Sequence, residues 1–328
     1  MRAILVDEAR EGRPLLLGEV PPPPLGPADV RVRVRATAVN RADLLQRQGL
    51  YPPPPGASAV LGLECAGEVV EVGSAAKGFR PGDRVMALLA GGGYAEEAVV
   101  DHGSVLAVPP GMTDEAAGAF PEAFLTAFSN LFMPGLGALG PGERALVHGG
   151  GGGVGTAAIR LCAEAGNPCY VTAGSAEKLA RCRALGATDA IDYRREDFAA
   201  RAQELTGGRG VDVVLDHIGA RYLEKNLAAL AVGGRLVEIG LMGGAQAEVN
   251  LGLLLVRRLA IIGSTLRSRS AAEKTAIVAA FRERFGAALE AGRLEPVIDR
   301  VLPLAEAGEA HRLMKESAHF GKIVLRVE

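Results

Sequence analysis

The sequence predicts an α/β chain in which a doubly wound parallel sheet accompanies a separate β-rich unit, and three observations carry that reading. Short β-branched runs crowd the first third, whereas from about Thr113 onward apolar strands alternate with helix-length patterns. A glycine-rich stretch lies between an apolar strand and an amphipathic helix. The 328 residues, 48% of them apolar, are too many for one ordinary core and enough to fill two.

Taken in order, RAILV, VRVRVRATAV, GEVVEVG, DRVMALL and EEAVV read as strands bounded by Gly, Pro and Asp. The strict alternation of residues 30–35 is that of a strand with one wet face. PPPPLGP and YPPPPG mark rigid loops. DEAAGAFPEAFLTAFSNLF is helix-like, and strands then alternate with helices at 154–166, 176–185, 196–206 and 221–231. LAIIGST (259–265) closes the sheet, a long helix near 271–291 follows, and GKIVLRVE is a final strand expected to return to the first unit.

Composition narrows the function. A formal net charge of −2 gives no pull toward nucleic acid or an anionic membrane. The four cysteines form neither a CxxC pair nor a metal-ligand cluster and read as buried small hydrophobes in a reducing compartment. MRAILVDEAR carries charges where a signal peptide needs apolar residues, and no apolar run approaches membrane-spanning length. A cytoplasmic protein is expected.

Gly150, Gly152 and Gly155 satisfy GxGxxG, with Gly153 and Val154 between them. The strand at 145–148 enters and a helix leaves. Such glycines permit the tight turn, and a helix N-terminus holds a pyrophosphate. This predicts a Rossmann dinucleotide site. At the end of the second strand an NAD site usually carries an acid for the ribose 2′-hydroxyl, whereas this chain reads Ala173-Gly174-Ser175. Ser175 and Lys178 suit a 2′-phosphate, and Tyr193 after the next strand adds a hydroxyl. The expected cofactor is NADPH.

Seven ordered blocks then point to a known family: AVNRADLLQRQGLYPPPPG, LGLECAGEVVEVG, GFRPGDRVMALL, PEAFLTAF, GGVGTAAIRL, TAGSAEKL and FGKIVL. Together they resemble zeta-crystallin-type quinone oxidoreductases of the medium-chain dehydrogenase/reductase superfamily, within them the p53-inducible quinone oxidoreductase group. The resemblance implies a GroES-like catalytic domain over 1–120 and 267–328, with the NADPH-binding Rossmann domain over 121–266. It also implies a homodimer paired through the edge near 259–266. The superfamily's zinc enzymes carry a ligand Cys where this chain has Asn40 and a ligand His where it has Leu63. No Cys falls near residues 90–115. No metal is expected. Without a Lewis acid, a quinone or conjugated enone is the more tractable hydride acceptor.

The resemblance further implies roles for single residues. Asn40 and Tyr51 lie over the nicotinamide and acceptor as neutral donors, and Tyr51 and Thr126 touch the cofactor. Gly240-Leu241-Met242, with Leu266 and Ser268 beside Arg267, form a shelf for the carboxamide. Lys322 is a C-terminal contact. Glu64 keeps an acidic family position. His148 and His217 read as core histidines, and His102, His311 and His319 have no visible partner. Tyr222 and Lys225 are three apart, so the Tyr-x-x-x-Lys pair of short-chain dehydrogenases is missing and no acid–base dyad is visible. Two other activities compete: reduction of enones, 2-alkenals or enoyl thioesters, and a non-catalytic NADPH-binding or RNA-binding role, which the acidic balance disfavours.

Overall fold

The computed structural model describes residues 1–327, which form two compact units: residues 1–125 with the segment returning at Leu266, and Thr126–Thr265. The first unit runs on to Leu125 instead of ending near 120. Aromatic packing accounts for this, since Phe120 and Phe124 stack at 4.1 Å and Phe120 meets Phe281 of the returning segment edge-on at 5.8 Å.

The first unit holds a seven-stranded sheet built around the long strand Asp29–Ala38. Val30, Val32 and Val34 are at most 2% exposed, as their alternation with arginines predicts. Each such burial contributes about 2 kcal/mol. Asp29–Ala38 pairs antiparallel with Glu64–Val72, Glu97–Asp101 and the C-terminal strand Lys322–Arg326. The tail does return to the first unit, and its register places Val324 opposite Ala38. A separate hairpin joins Arg2–Val6 to Leu15–Glu19. The helix Ala271–Glu290 starts with a reciprocal cap: Ser270 Oγ accepts from Glu273 N–H at 3.3 Å, and Glu273 accepts from Ser270 N–H at 2.9 Å.

The second unit is a six-stranded parallel sheet. Its spatial order is Asp189–Asp192, Cys169–Ala173, Ala145–Val147, Val211–Asp216, Leu230–Glu238 and Ala260–Gly263. Numbered along the chain this is 3-2-1-4-5-6, the doubly wound dinucleotide-binding order, whose direction reverses beside Ala145–Val147. CYVTA and VDVVLD are buried throughout, as strands covered on both faces must be. Ala260–Gly263 forms one edge, beside the short helix Leu251–Arg257, where Leu255 and Val256 are 78% and 79% exposed.

All four cysteines are free and buried. Among the described residues no helix is long and apolar enough to cross a membrane.

Candidate active site

In the second unit, Ala145–Val147 runs into the glycine turn and the helix Gly153–Ala165 leaves it, with Gly152 as N-cap. The turn is tied to the second strand, because Gly150 N–H donates to Thr172 O at 2.8 Å and Gly149 N–H to Thr172 Oγ1 at 3.3 Å. A Cβ on Gly155 would collide with the carbonyl of Gly149, and one on Gly150 would stand 2.6 Å from Val171 Cβ. Both glycines are therefore needed for the close approach of the helix to the turn and the second strand. Val154 follows Gly153 in the helix's first turn, so both lie at the positive end of its dipole.

Beneath the turn His148 is a satisfied core histidine. Its ring contacts Thr172 Oγ1 at 3.0 Å and Asn226 Oδ1 at 2.7 Å, and Asn226 donates to Asp216 at 2.9 Å. Burial holds His148 below the usual histidine range. His217 is only partly buried and packs under the turn, where a Cβ on Gly149 would lie 2.5 Å from its Cε1.

At the ends of the second and third strands the residues expected for a 2′-phosphate come together. Ser175 caps the helix Ala176–Leu185 and accepts from Lys178 N–H at 3.3 Å. A Cβ on Gly174 would stand 2.6 Å from Tyr193 Oη and 3.0 Å from Arg194 Nε. Arg194 was not picked out by sequence reading; its place one residue after Tyr193 was the available signal. Thr126 is 9% exposed, and its carbonyl accepts from Asn130 Nδ2 at 2.8 Å.

The shelf residues are less uniform than expected. Leu241 and Met242 are 58% and 53% exposed, and Met242 N–H already donates to His217 O at 3.1 Å. That amide is not free for a carboxamide; Gly240 packs on His217 beside it. In the first unit Leu266 is buried and Ser268 exposed, but the residue between them does the most. Arg267 donates to Ala90 O at 2.8 Å, Tyr51 O at 3.1 Å and Gln46 Oε1 at 2.6 Å, and its guanidinium lies 5.3 Å from the Tyr51 ring centroid. Arg267 thus pins the loop bearing Tyr51.

The first unit's polar centre is a closed knot. Lys322 Nζ donates to Asn40 Oδ1 at 2.6 Å, Glu64 Oε1 at 2.7 Å and Val39 O at 3.2 Å. An ammonium has three N–H groups, and all three are used. Asn40 Nδ2 donates to Glu64 Oε1 at 2.9 Å and Ala38 O at 3.2 Å. This corrects the expected role of Asn40: both amide hydrogens are spent inside the knot, so Asn40 positions its neighbours instead of offering a donor. Asp43 accepts from Asn40 N–H at 2.7 Å, Gly62 N–H at 3.1 Å and Tyr94 Oη at 3.1 Å. Burial raises Asp43 to about 6. The Tyr94 hydrogen goes to Asp43, so His311 Nε2, 3.2 Å away, must donate to Tyr94 oxygen. His311 therefore acquires a partner that sequence reading could not supply, and burial lowers it to about 3, leaving it neutral.

These residues do not fit a zinc ion. Leu63 is 1% exposed within the core, an ammonium abuts Glu64, and no group of three His, Cys, Asp or Glu side chains that could hold a metal is assembled among the described residues.

A glycine turn entering a 3-2-1-4-5-6 parallel sheet, with a β-rich unit holding a buried polar centre, defines a nicotinamide-dependent oxidoreductase of two domains. Residues 26–110 match the alcohol dehydrogenase GroES-like domain family and residues 153–282 the zinc-binding dehydrogenase family. The chain belongs to the medium-chain dehydrogenase/reductase superfamily. It is 34% identical to the rat (Rattus norvegicus) synaptic vesicle membrane protein VAT-1 homolog, covering 93% of this chain and 78% of that one. It is 30% identical to the quinone oxidoreductase-like protein 2 homolog of Nematostella vectensis, covering 100% and 89%. A phenolphthiocerol/phthiocerol polyketide synthase protein of Mycobacterium tuberculosis is 33% identical over 99% of this chain, which spans only 14% of that protein. Among solved structures, an NAD-dependent alcohol dehydrogenase superposes with a TM-score of 0.85 at 35% identity over 100% of both chains. Escherichia coli quinone oxidoreductase complexed with NADPH gives 0.84 at 29% over 99% of both. The CurK enoyl reductase gives 0.85 at 28% over 100% of this chain and 99% of that one.

Proposed function

We propose that this chain is an NADPH-dependent quinone oxidoreductase that passes hydride to a quinone or similar conjugated carbonyl without a zinc ion. The observation that carries the reading is Lys322, whose ammonium is locked against Glu64 and Asn40, where the superfamily's zinc enzymes gather metal ligands. When bound, the reduced nicotinamide supplies the hydride. Tyr51 supplies a neutral donor: burial first, and the Glu122 charge second, raise its phenol, so it keeps its proton and can donate to an oxygen gaining charge. Arg267 holds the Tyr51 loop in place. Ser175, Lys178, Tyr193 and Arg194, with no acid at the end of the second strand, support NADPH over NADH.

The second reading is an enone or enoyl-thioester reductase. The likeness to a polyketide synthase and to an enoyl reductase favours it, and its acceptor accumulates charge on oxygen in the same way. For assembly, we infer a homodimer paired along Ala260–Gly263, whose apolar flank includes Leu255, Val256 and the 40%-exposed Ile261. Free, buried cysteines support a reducing, cytoplasmic setting.

Oxidation of NADPH and NADH, followed by absorbance with 1,2-naphthoquinone, simple quinones and an enoyl thioester, tests these assignments. Quinone turnover with at least about a tenfold preference for NADPH is expected, reduced by Lys178→Ala because a charge-assisted phosphate contact is lost. NADPH binding without turnover of any quinone would sink the leading reading, and faster reduction of the enoyl thioester would establish the second.

A further inference from the structure

Hydride transfer to a carbonyl leaves an oxygen that needs a proton, and the polar centre contains many groups that could in principle provide one. The hydrogen bonds eliminate nearly all of them. Lys322 and Asn40 have committed every N–H. Glu64 accepts from Lys322 and Asn40 on Oε1 and from Glu122 N–H on Oε2 at 2.9 Å. Asp43 is filled by three donors. His311 Nδ1 is buried without a partner, but its ring is neutral with the proton on Nε2, so Nδ1 has none to give.

Glu122 remains. Its Oε2 is sealed from solvent and has no hydrogen-bond partner. Its backbone N–H donates to Glu64 of the knot, and its charge raises the Tyr51 phenol. Glu64 and Asp43 face it with negative charge, Lys322, Lys274 and Arg267 with positive charge, and Tyr51 with a neutral hydroxyl. An unpartnered, sealed carboxyl oxygen is costly as an anion and far less so as an acid.

From this arrangement we infer that Glu122 is the proton donor that completes reduction of the acceptor. The inference rests on the hydride-transfer reading above. The acceptor forms a new bond to the transferred hydride, its conjugated π electrons shift, and the pair released from the carbonyl π bond settles on oxygen. The oxygen takes the proton from the Glu122 carboxyl to form the product O–H, and the resulting carboxylate of this only partly buried residue is reloaded from solvent. Overall, reduced nicotinamide and one proton are consumed for each two-electron reduction. Burial first and the Glu64 charge second raise Glu122 to about 8, so the acid form is present at neutral pH.

Glu122→Gln, nearly isosteric, tests the assignment against Glu122→Asp and Tyr51→Phe. In the wild type kcat should fall as pH rises through about 8, because the donor loses its proton. Glu122→Gln should lower kcat by about 10²-fold and abolish that basic limb. Glu122→Asp and Tyr51→Phe should both retain the limb, the latter because the raised phenol does not titrate there. Loss within about twofold, or a surviving limb in Glu122→Gln, overturns the assignment.

A readout independent of turnover is thermal stability against pH. The carboxyl titrates near 4.5 when free and near 8 when folded, so the folded state holds an extra proton and loses stability as pH climbs between those values. Glu122→Gln should flatten that part of the curve, and parallel curves overturn the retained proton. If the wild type reduces no acceptor, the reading above fails, while the stability comparison still reports on Glu122 itself.

Discussion

The Lys322–Glu64 pair shows how much one buried ion pair can organise. Their side chains are 3% and 0% exposed, and the pair fixes Asn40 and, through it, Asp43. Removing one partner leaves the other charge buried and uncompensated. Lys322→Met should therefore cost about 3–5 kcal/mol in urea denaturation, and the double variant Lys322→Met/Glu64→Gln should recover more than half of that. Equal destabilisation of the single and double variants would contradict a paired role. Asn40 and Glu64 drew notice in the sequence, but the lysine joining them is 258 residues from Glu64. Spacing along a chain says nothing about such a contact. Asn40 was expected to donate outward for the same reason: its residue type was visible, whereas the neighbours consuming its hydrogens were not. Glu122 was likewise visible only as one letter of PEAFLTAF.

Elements were legible where periodicity and punctuation agreed. The strand, glycine turn and helix around residues 145–165 fall where the pattern places them, because collisions at Gly150 and Gly155 leave no alternative residue. Gly155→Ala should push the helix off the turn, weaken dinucleotide binding at least about tenfold by fluorescence titration, and lower the melting temperature by several degrees. Unchanged binding would mean the turn can relax. The helical stretch starting at Asp114 is broken into Asp114–Gly118 and Pro121–Phe132, since Pro121 lacks the N–H needed to continue a helix but suits the start of one. Leu15–Glu19 escaped notice because Leu16 and Leu17 are both about half exposed and break the alternation. Ile298–Pro303 ends in a proline and lies at a sheet edge, a place where strand signals are weak.

At the scale of the whole molecule, the alternation of strands and helices was enough to anticipate both units and the return of the tail, because each follows from burying apolar faces. The edge strand Ala260–Gly263 and the exposed Leu255 and Val256 beside it call for a cover. Sedimentation at micromolar concentration should give a dimer, and Leu255→Asp with Ile261→Arg should give a folded monomer. A monomeric wild type would remove the proposed pairing.

The buried thiols bear on the proposed reduction of quinones or enones. Quinones and enones alkylate thiolates, so a protein that gathers such electrophiles risks inactivating itself. Cys65 and Cys182 are pushed up to about 12, chiefly by burial, and Cys169 is raised well above the usual thiol range, with its hydrogen bond to the Cys162 thiol the largest cause. With all four shielded, no thiol among the described residues meets an electrophile arriving from solvent, so the proposed quinone or enone reduction would not expose a cysteine to alkylation by its own substrate.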